Sequence, residues 1–292
     1  MPFLARLAVA IYACLLCLGA GAEAPMSYIF YSGDTLADLR TPYLERVARA
    51  ALERTRSDFG DFTLSRSEFL GEQRRRYLLE HNSGPINFSY FPYRPGLSTK
   101  LVPVRIPVDL GALGFRVLLI RRADQPIFSK IDTLEALKAI RLGSVETWAD
   151  NEILRRAGLT VVTGMAHQGL PKMLLAGRFD AFSRSITEAE QDMDRLEPEE
   201  SGIAIDSHLL IHYPSPGYFW FTGDEDGRNR AARMRVGLSR MVEDGSLAAM
   251  FAETFGPHML RLDLRHRQMI ELPASPLDPA DPVGDARMWF KP

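Results

Sequence analysis

The sequence predicts an α/β protein built of wound strand and helix layers, and three observations predict it. Short β-branched and aromatic runs recur along the chain. Between them lie segments whose apolar residues return at helical spacing, and glycines punctuate the joins. The 292 residues carry a net charge of −2 and 46% hydrophobic side chains, enough for one large or two medium domains with a substantial core.

A leader, residues 1–24, comes first. Arg6 precedes an unbroken apolar run from Leu7 to Leu18, and small residues follow at Ala20, Ala22 and Ala24, so "AGA" and "AEA" both fit a small-x-small cleavage site. The run is too short for a comfortable membrane span and is expected to be a secretory signal cut between Ala22 and Ala24; an uncleaved anchor is the alternative. Both cysteines, Cys14 and Cys17, leave with it, so the expected mature chain relies on its core rather than on disulfides. A soluble, exported chain follows. The absence of a basic excess argues against a nucleic-acid partner.

"MSYIFYSGD" (26–34) reads as a first strand ending in a turn. Thr41 and Pro42 suggest a cap and a first helical residue, followed by a buried stripe of Leu44, Val47, Ala48, Ala51 and Leu52. Residues 62–69 alternate as a strand, 72–84 form a short basic helix, and 86–91 and 115–122 are two more strands, the last apolar enough to be buried. A second series then begins. Asp132 and Glu135 have capping-box spacing, 140–146 is a strand, and Thr147 is positioned to cap a helix that stops at Gly158. Strand 159–164, a helix from Pro171 to Gly177, strand 179–184, and runs 208–213 and 217–223 follow. Two amphipathic helices, stopped by Gly245 and Gly256, precede a proline-rich tail.

Catalytic signatures are missing: there is no G-x-S-x-G, H-E-x-x-H or P-loop. The six histidines are scattered, and His208 and His212, four apart on a strand, stand too far apart to share a metal ion. No metal and no cofactor is expected.

The order of segments resembles the type II periplasmic solute-binding proteins, in particular family 3, which serves ABC importers of amino acids. The resemblance rests on "TLEALKAIRLGSVETW", "MLLAGRFDAF" and "MVEDGSLAAMFAETFG", while "DLRTPYLERVARAAL" and "VRIPVDLGALGFRVLLIRR" look more like a stand-alone subgroup. It implies two α/β lobes joined by two crossing strands near residues 116–122 and 207–213. Lobe 1 would comprise 25–118 and 209–292, lobe 2 would comprise 119–208, and a ligand cleft would lie between them.

The resemblance also nominates site residues. The helix start "GSVETW" would face the cleft, with Ser144 and Thr147 adding hydroxyls and Trp148 an apolar wall; a helix N-terminus does offer unpaired donors. An ordinary capped helix with a core tryptophan is the alternative. Arg94 is the nearest match to a ligand-gripping arginine, Tyr90 and Tyr93 could stack on a ligand, and Tyr31 and Asp34 end the first strand where it faces the cleft. Tyr213 and Tyr218 flank the second crossing and are read as core.

Asp180 matches the strand aspartate of the family pattern. Further along that strand, where many amino-acid binders carry an acid for the ligand's ammonium group, the resemblance places Arg184. Two like charges at ~4 Å repel by roughly 4 kcal/mol at an effective dielectric of ~20, about a thousandfold in affinity. A guanidinium favours a carboxylate, sulfonate or phosphate instead. The alternative is that Arg184 faces solvent.

The expectation is a monomeric periplasmic binder of a small polar ligand, one with an anionic group, that closes on it and presents it to an ABC permease or a membrane sensor without chemistry. Two rivals stay open. One is an exported dehydratase-like enzyme on the same fold, with Glu188 or Asp34 as acid or base; the other is a sensing module without transport.

Overall fold

A computed structural model describes residues 24–33, 39–94, 96–273, 277, 279–282 and 284–292. The leader up to Glu23, and Asp34 at the end of the first strand, lie outside the described residues. Among the described residues no helix is long and apolar enough to cross a membrane.

Among the described residues there are twelve strands: β1 (Met26–Ser32), β2 (Phe62–Phe69), β3 (Phe88–Pro92), β4 (Leu101–Val104), β5 (Phe115–Arg121), β6 (Arg141–Val145), β7 (Thr160–Gly164), β8 (Ala181–Ser185), β9 (Ile203–Ile205), β10 (Leu209–His212), β11 (Gly217–Thr222) and β12 (Gln268–Glu271). They form two assemblies. In the first, β1 and β2 run parallel, and β11 lies between β3 and β4, antiparallel to both. Asn87 stitches the two pieces together: its N–H donates to Ile29 O (3.2 Å), its Oδ1 accepts from Ile29 N (2.9 Å) and its Nδ2 donates to Ser27 O (2.9 Å).

The second assembly is one seven-stranded sheet of order β12-β10-β5-β8-β6-β7, with β9 also on β5. β9 and β10 lie along the same edge of β5, pairing with Leu119–Arg121 and Phe115–Arg116 respectively. The apolar run Val117–Ile120 of β5 follows from this position, since neighbours bond it on both edges and cover it on both faces. β4 is an addition to the expected strands, and its Pro103 is tolerated because β4 is an edge strand.

The chain passes from the first assembly to the second between β4 and β5, and returns between β10 and β11. The two crossings touch at Gly114, whose O accepts from Tyr213 N (3.1 Å) and where a Cβ would lie 2.0 Å from Tyr213 O. Helices Glu225–Glu243 and Ser246–Arg261 then pack against helix Arg40–Glu53; a Cβ on Gly237 would meet Ala51 O at 2.1 Å, so two backbones lie in direct contact. After them the chain visits the large sheet once more, where β12 runs parallel to β10.

Helix starts differ from the expected ones. Helix Arg40–Glu53 begins before Thr41, which lies buried inside its first turn. Thr133, not Asp132, caps helix Leu134–Leu137 by accepting from Ala136 N (3.2 Å). Thr147 caps nothing: a turn follows β6, and the helix starts only at Asp150.

Candidate ligand-binding cleft

A cleft of about 510 Å³ lies between the assemblies. One wall comes from the first assembly: Arg40 opens the first helix, Glu72 and Arg75 come from helix Glu72–Glu80, and Tyr90, Pro92, Tyr93 and Arg94 come from β3 and its exit. The other wall comes from the large sheet: Glu146–Arg155 after β6, His167 after β7, Arg184 on β8, and Glu188, Gln191 and Asp192 just beyond. Leu113, Arg116, Tyr213 and Ser215, from the crossings, line it as well.

Arg184 anchors the second wall. It is only 8% exposed, its Nε donates to Asp192 Oδ2, its Nη2 lies 3.4 Å from Glu188 Oε2, and its guanidinium sits 4.8 Å from the Trp148 ring centre. Glu188 is shared across the cleft, with Arg40 Nη1 2.6 Å from its Oε1. Burial alone would raise the Glu188 pKa, but Arg184, then Arg40 and Arg116, overcome that and hold it at about 2. Asp192 is likewise pulled below the usual carboxylate range: burial opposes ionisation, and Arg184 and the neighbouring His167 (Nε2 3.3 Å away) outweigh it.

At the crossings, buried Arg116 on β5 reaches Asp150 Oδ2 (3.0 Å), Ser183 Oγ (3.1 Å) and Leu113 O (3.2 Å), while Tyr213 OH donates to the same Asp150 oxygen (3.2 Å). One carboxylate thus joins both crossing strands to the second wall. Behind the first wall, Tyr90 OH donates to Asp109 Oδ2 (2.8 Å), and Gly111 and Gly217 N–H groups donate to Oδ1 (3.0 and 3.1 Å). Burial raises the Asp109 carboxyl to about 6 despite these three donors.

Arg75 differs from the other arginines. It is 9% exposed, its guanidinium lies 3.6 Å from the Tyr31 ring centre, and Nη1 donates to Leu70 O (2.9 Å). Nε is buried without a hydrogen-bond partner, and among the described residues no carboxylate lies within 4.0 Å of its nitrogens.

No protein-family model and no curated protein matches the chain. Solved structures do. The probable amino-acid ABC transporter extracellular-binding protein ytmK from Bacillus subtilis aligns at 12% identity and TM-score 0.58, covering 80% of this chain and 98% of that one. A histidine kinase sensor domain with similarity to periplasmic binding proteins aligns at 13% identity and TM-score 0.56, covering 80% and 97%. A mutant of ArgBP from T. maritima aligns at 13% and 0.53, covering 79% and 96%. The fold is that of the type II periplasmic binding proteins. The two assemblies are linked by the segments between β4 and β5 and between β10 and β11.

In this cleft the residues expected from sequence fall into three groups. Tyr90, Arg94, Thr147, Trp148 and Arg184 do line it. Tyr90 offers only its ring, since Asp109 holds its hydroxyl, and Arg94 is tied to Glu72 (2.5 Å). Tyr31 and Ser144 lie behind the walls. Tyr31 is 3% exposed and forms the platform under Arg75, while Ser144 is 2% exposed within β6, its Oγ turned to Val145 O. Asp34 lies outside the described residues. The expected row of helix-end donors gains no support from a seven-residue helix whose N-cap, Ala149, has no capping side chain.

Arg184 faces the cleft as expected, but its charge is answered inside the wall by Asp192 and Glu188. Sequence reasoning missed Arg75, Arg116 and Asp192 as cleft residues. Signals existed for two of them. Arg75 stands three and four residues before the buried Leu78 and Leu79, on their face of the helix. Arg116 is the one charge between the apolar residues of β5. Asp192 meets Arg184 only through the fold.

Proposed function

We propose that the chain is an exported solute-binding protein that captures a small polar ligand in the interlobe cleft by hinge closure, without chemistry. The observation that carries this reading is the cleft: two charged walls from separate sheets, joined at close-packed crossings where Gly114 touches Tyr213. Lobe 1 is taken as 25–118 and 209–292 and lobe 2 as 119–208, so the large sheet draws β10 and β12 from lobe 1 and β6–β9 from lobe 2. Closure costs little structure when it turns on two short crossings, and a ligand drives it only by preferring the closed form. The leader, residues 1–24, would export the chain to the periplasm, where it would act as a monomer.

An enzyme reading finds less support. Glu188, which the sequence offered as an acid or base, holds its proton only below about pH 2, which does not suit a general acid near neutrality. The receiving partner would be a membrane permease or a signalling protein. The likeness to the amino-acid transporter component favours the first, and the likeness to the kinase sensor domain keeps the second in play.

Small-angle scattering with and without ligand tests the reading. The radius of gyration should fall on binding. Turnover of a bound metabolite, followed by mass spectrometry, would overturn it.

A further inference from the structure

We infer that the cleft selects a ligand with a net negative charge, and that Arg75 is the site of its carboxylate. This rests on the solute-binding reading and names the ligand class for the same cleft.

Charge balance within the walls carries the inference. Among the described residues, each carboxylate enclosed in the walls already answers an arginine: Asp192 and Glu188 answer Arg184, Glu188 also answers Arg40, and Asp150 answers Arg116; the more exposed Glu72 answers Arg94. At the rim, Glu146 and Glu152 stand exposed, as do Arg155 and Arg195; water screens all four. What is left is Arg75, nine-tenths buried, with an unpartnered Nε and, among the described residues, no acid.

A buried cation without a counter-charge is costly unless something answers it. Stacking on Tyr31 and one bond to Leu70 O hold the guanidinium flat and leave planar donor capacity, which suits a carboxylate. The ammonium of a zwitterionic amino acid finds the opposite situation. Every enclosed acid that could receive it is engaged, so binding it would mean breaking an ion pair. The cleft therefore favours an organic acid over a zwitterion and rejects a cation.

Thermal shift and calorimetry on the purified protein test this with six probes: succinate, L-malate and D-gluconate as net anions, L-glutamine and L-arginine as amino acids, and putrescine as a cation. At least one anion should bind, and bind tenfold or more tighter than any of the other three. Arg75→Gln should weaken that anion by about ten- to hundredfold, as loss of a charge-assisted hydrogen bond does, and Arg75→Lys should recover part. If Arg75→Gln does not fold, the wild-type ranking and Arg75→Lys decide. Binding of an amino acid or putrescine but no anion sinks the inference and leaves the solute-binding reading standing. An anion bound equally well by folded Arg75 variants removes Arg75 from the site. If none of the six binds, both readings fall.

Discussion

Arg40 and Glu188 meet at 2.6 Å across the cleft, tying the first helix of one lobe to the turn after β8 in the other. Two more contacts reach the same stretch of chain: Leu39 N–H donates to Gln191 Oε1 (3.2 Å), and Arg261 Nε to Glu190 Oε2 (2.8 Å). The start of helix Ala189–Met193, with Glu188 as its N-cap, is where the lobes hold one another, and its ion pairs have measurable consequences.

The first concerns acid. Glu188 has a folded pKa of about 2, below its value in the unfolded chain. Its stabilising contribution is therefore fully present above the unfolded pKa and is lost as pH falls through the folded one, a window from roughly pH 5 to pH 2. The shift corresponds to roughly 3 kcal/mol at most. Denaturant unfolding across that window should show wild type losing more stability than Glu188→Gln. Parallel curves would mean that the pair contributes nothing.

Removing Arg184 should act on folding before binding. Arg184→Ala would leave Asp192 and Glu188 enclosed with less compensation, a change that costs about 3–5 kcal/mol when one partner of a buried pair is deleted. Arg184→Lys should recover part of that, since the charge remains but the planar fork is gone. Melting temperatures of the two variants give the answer. An Ala variant as stable as wild type would place the side chain outside the network.

Asp109 has the opposite sign. Burial raises its pKa to about 6, so the ionised form opposes folding, and the penalty grows as pH rises from about 4 to 6. Asp109→Asn removes the charge while keeping an oxygen for the Gly111 and Gly217 N–H groups. It should gain up to roughly 3 kcal/mol on wild type at pH 7.5, and the gain should vanish at pH 4. A gain that persists at pH 4 would trace to packing, not ionisation.

At the crossings, Gly114→Ala would drive a Cβ to 2.0 Å from Tyr213 O, a backbone atom that cannot rotate away. Overpacking of this kind costs about 1–3 kcal/mol. Because the strain falls on both crossings, the variant should also lose the ligand-induced change in scattering. A lower melting temperature with unchanged closure would separate the hinge from this contact.

Much of the fold was legible in the sequence, and the exceptions are instructive. β5 and β11 could be recognised because a strand covered on both faces is largely apolar. β2 could be recognised by its alternation. β4, β9 and β12 could not. Each has three or four residues, and β12 buries only Ile270, so their strand character is supplied by the edges of β11, β5 and β10. Helix starts moved for a related reason: packing of Tyr43 and Leu44 into the core extends the first helix one residue ahead of the expected cap at Thr41.

The sequence by itself determined the alternation of strands and helices, the leader pattern and the presence of an arginine where a related acid was expected, because local periodicity and residue chemistry carry that information. The tertiary structure decided which charges meet. Arg184 is neutralised by Asp192, eight residues along, and by Glu188, which is shared with Arg40 148 residues away, whereas Arg75, stacked on Tyr31, meets no carboxylate among the described residues. A charge's partners depend on its distance to other groups after folding, and no local pattern encodes that distance.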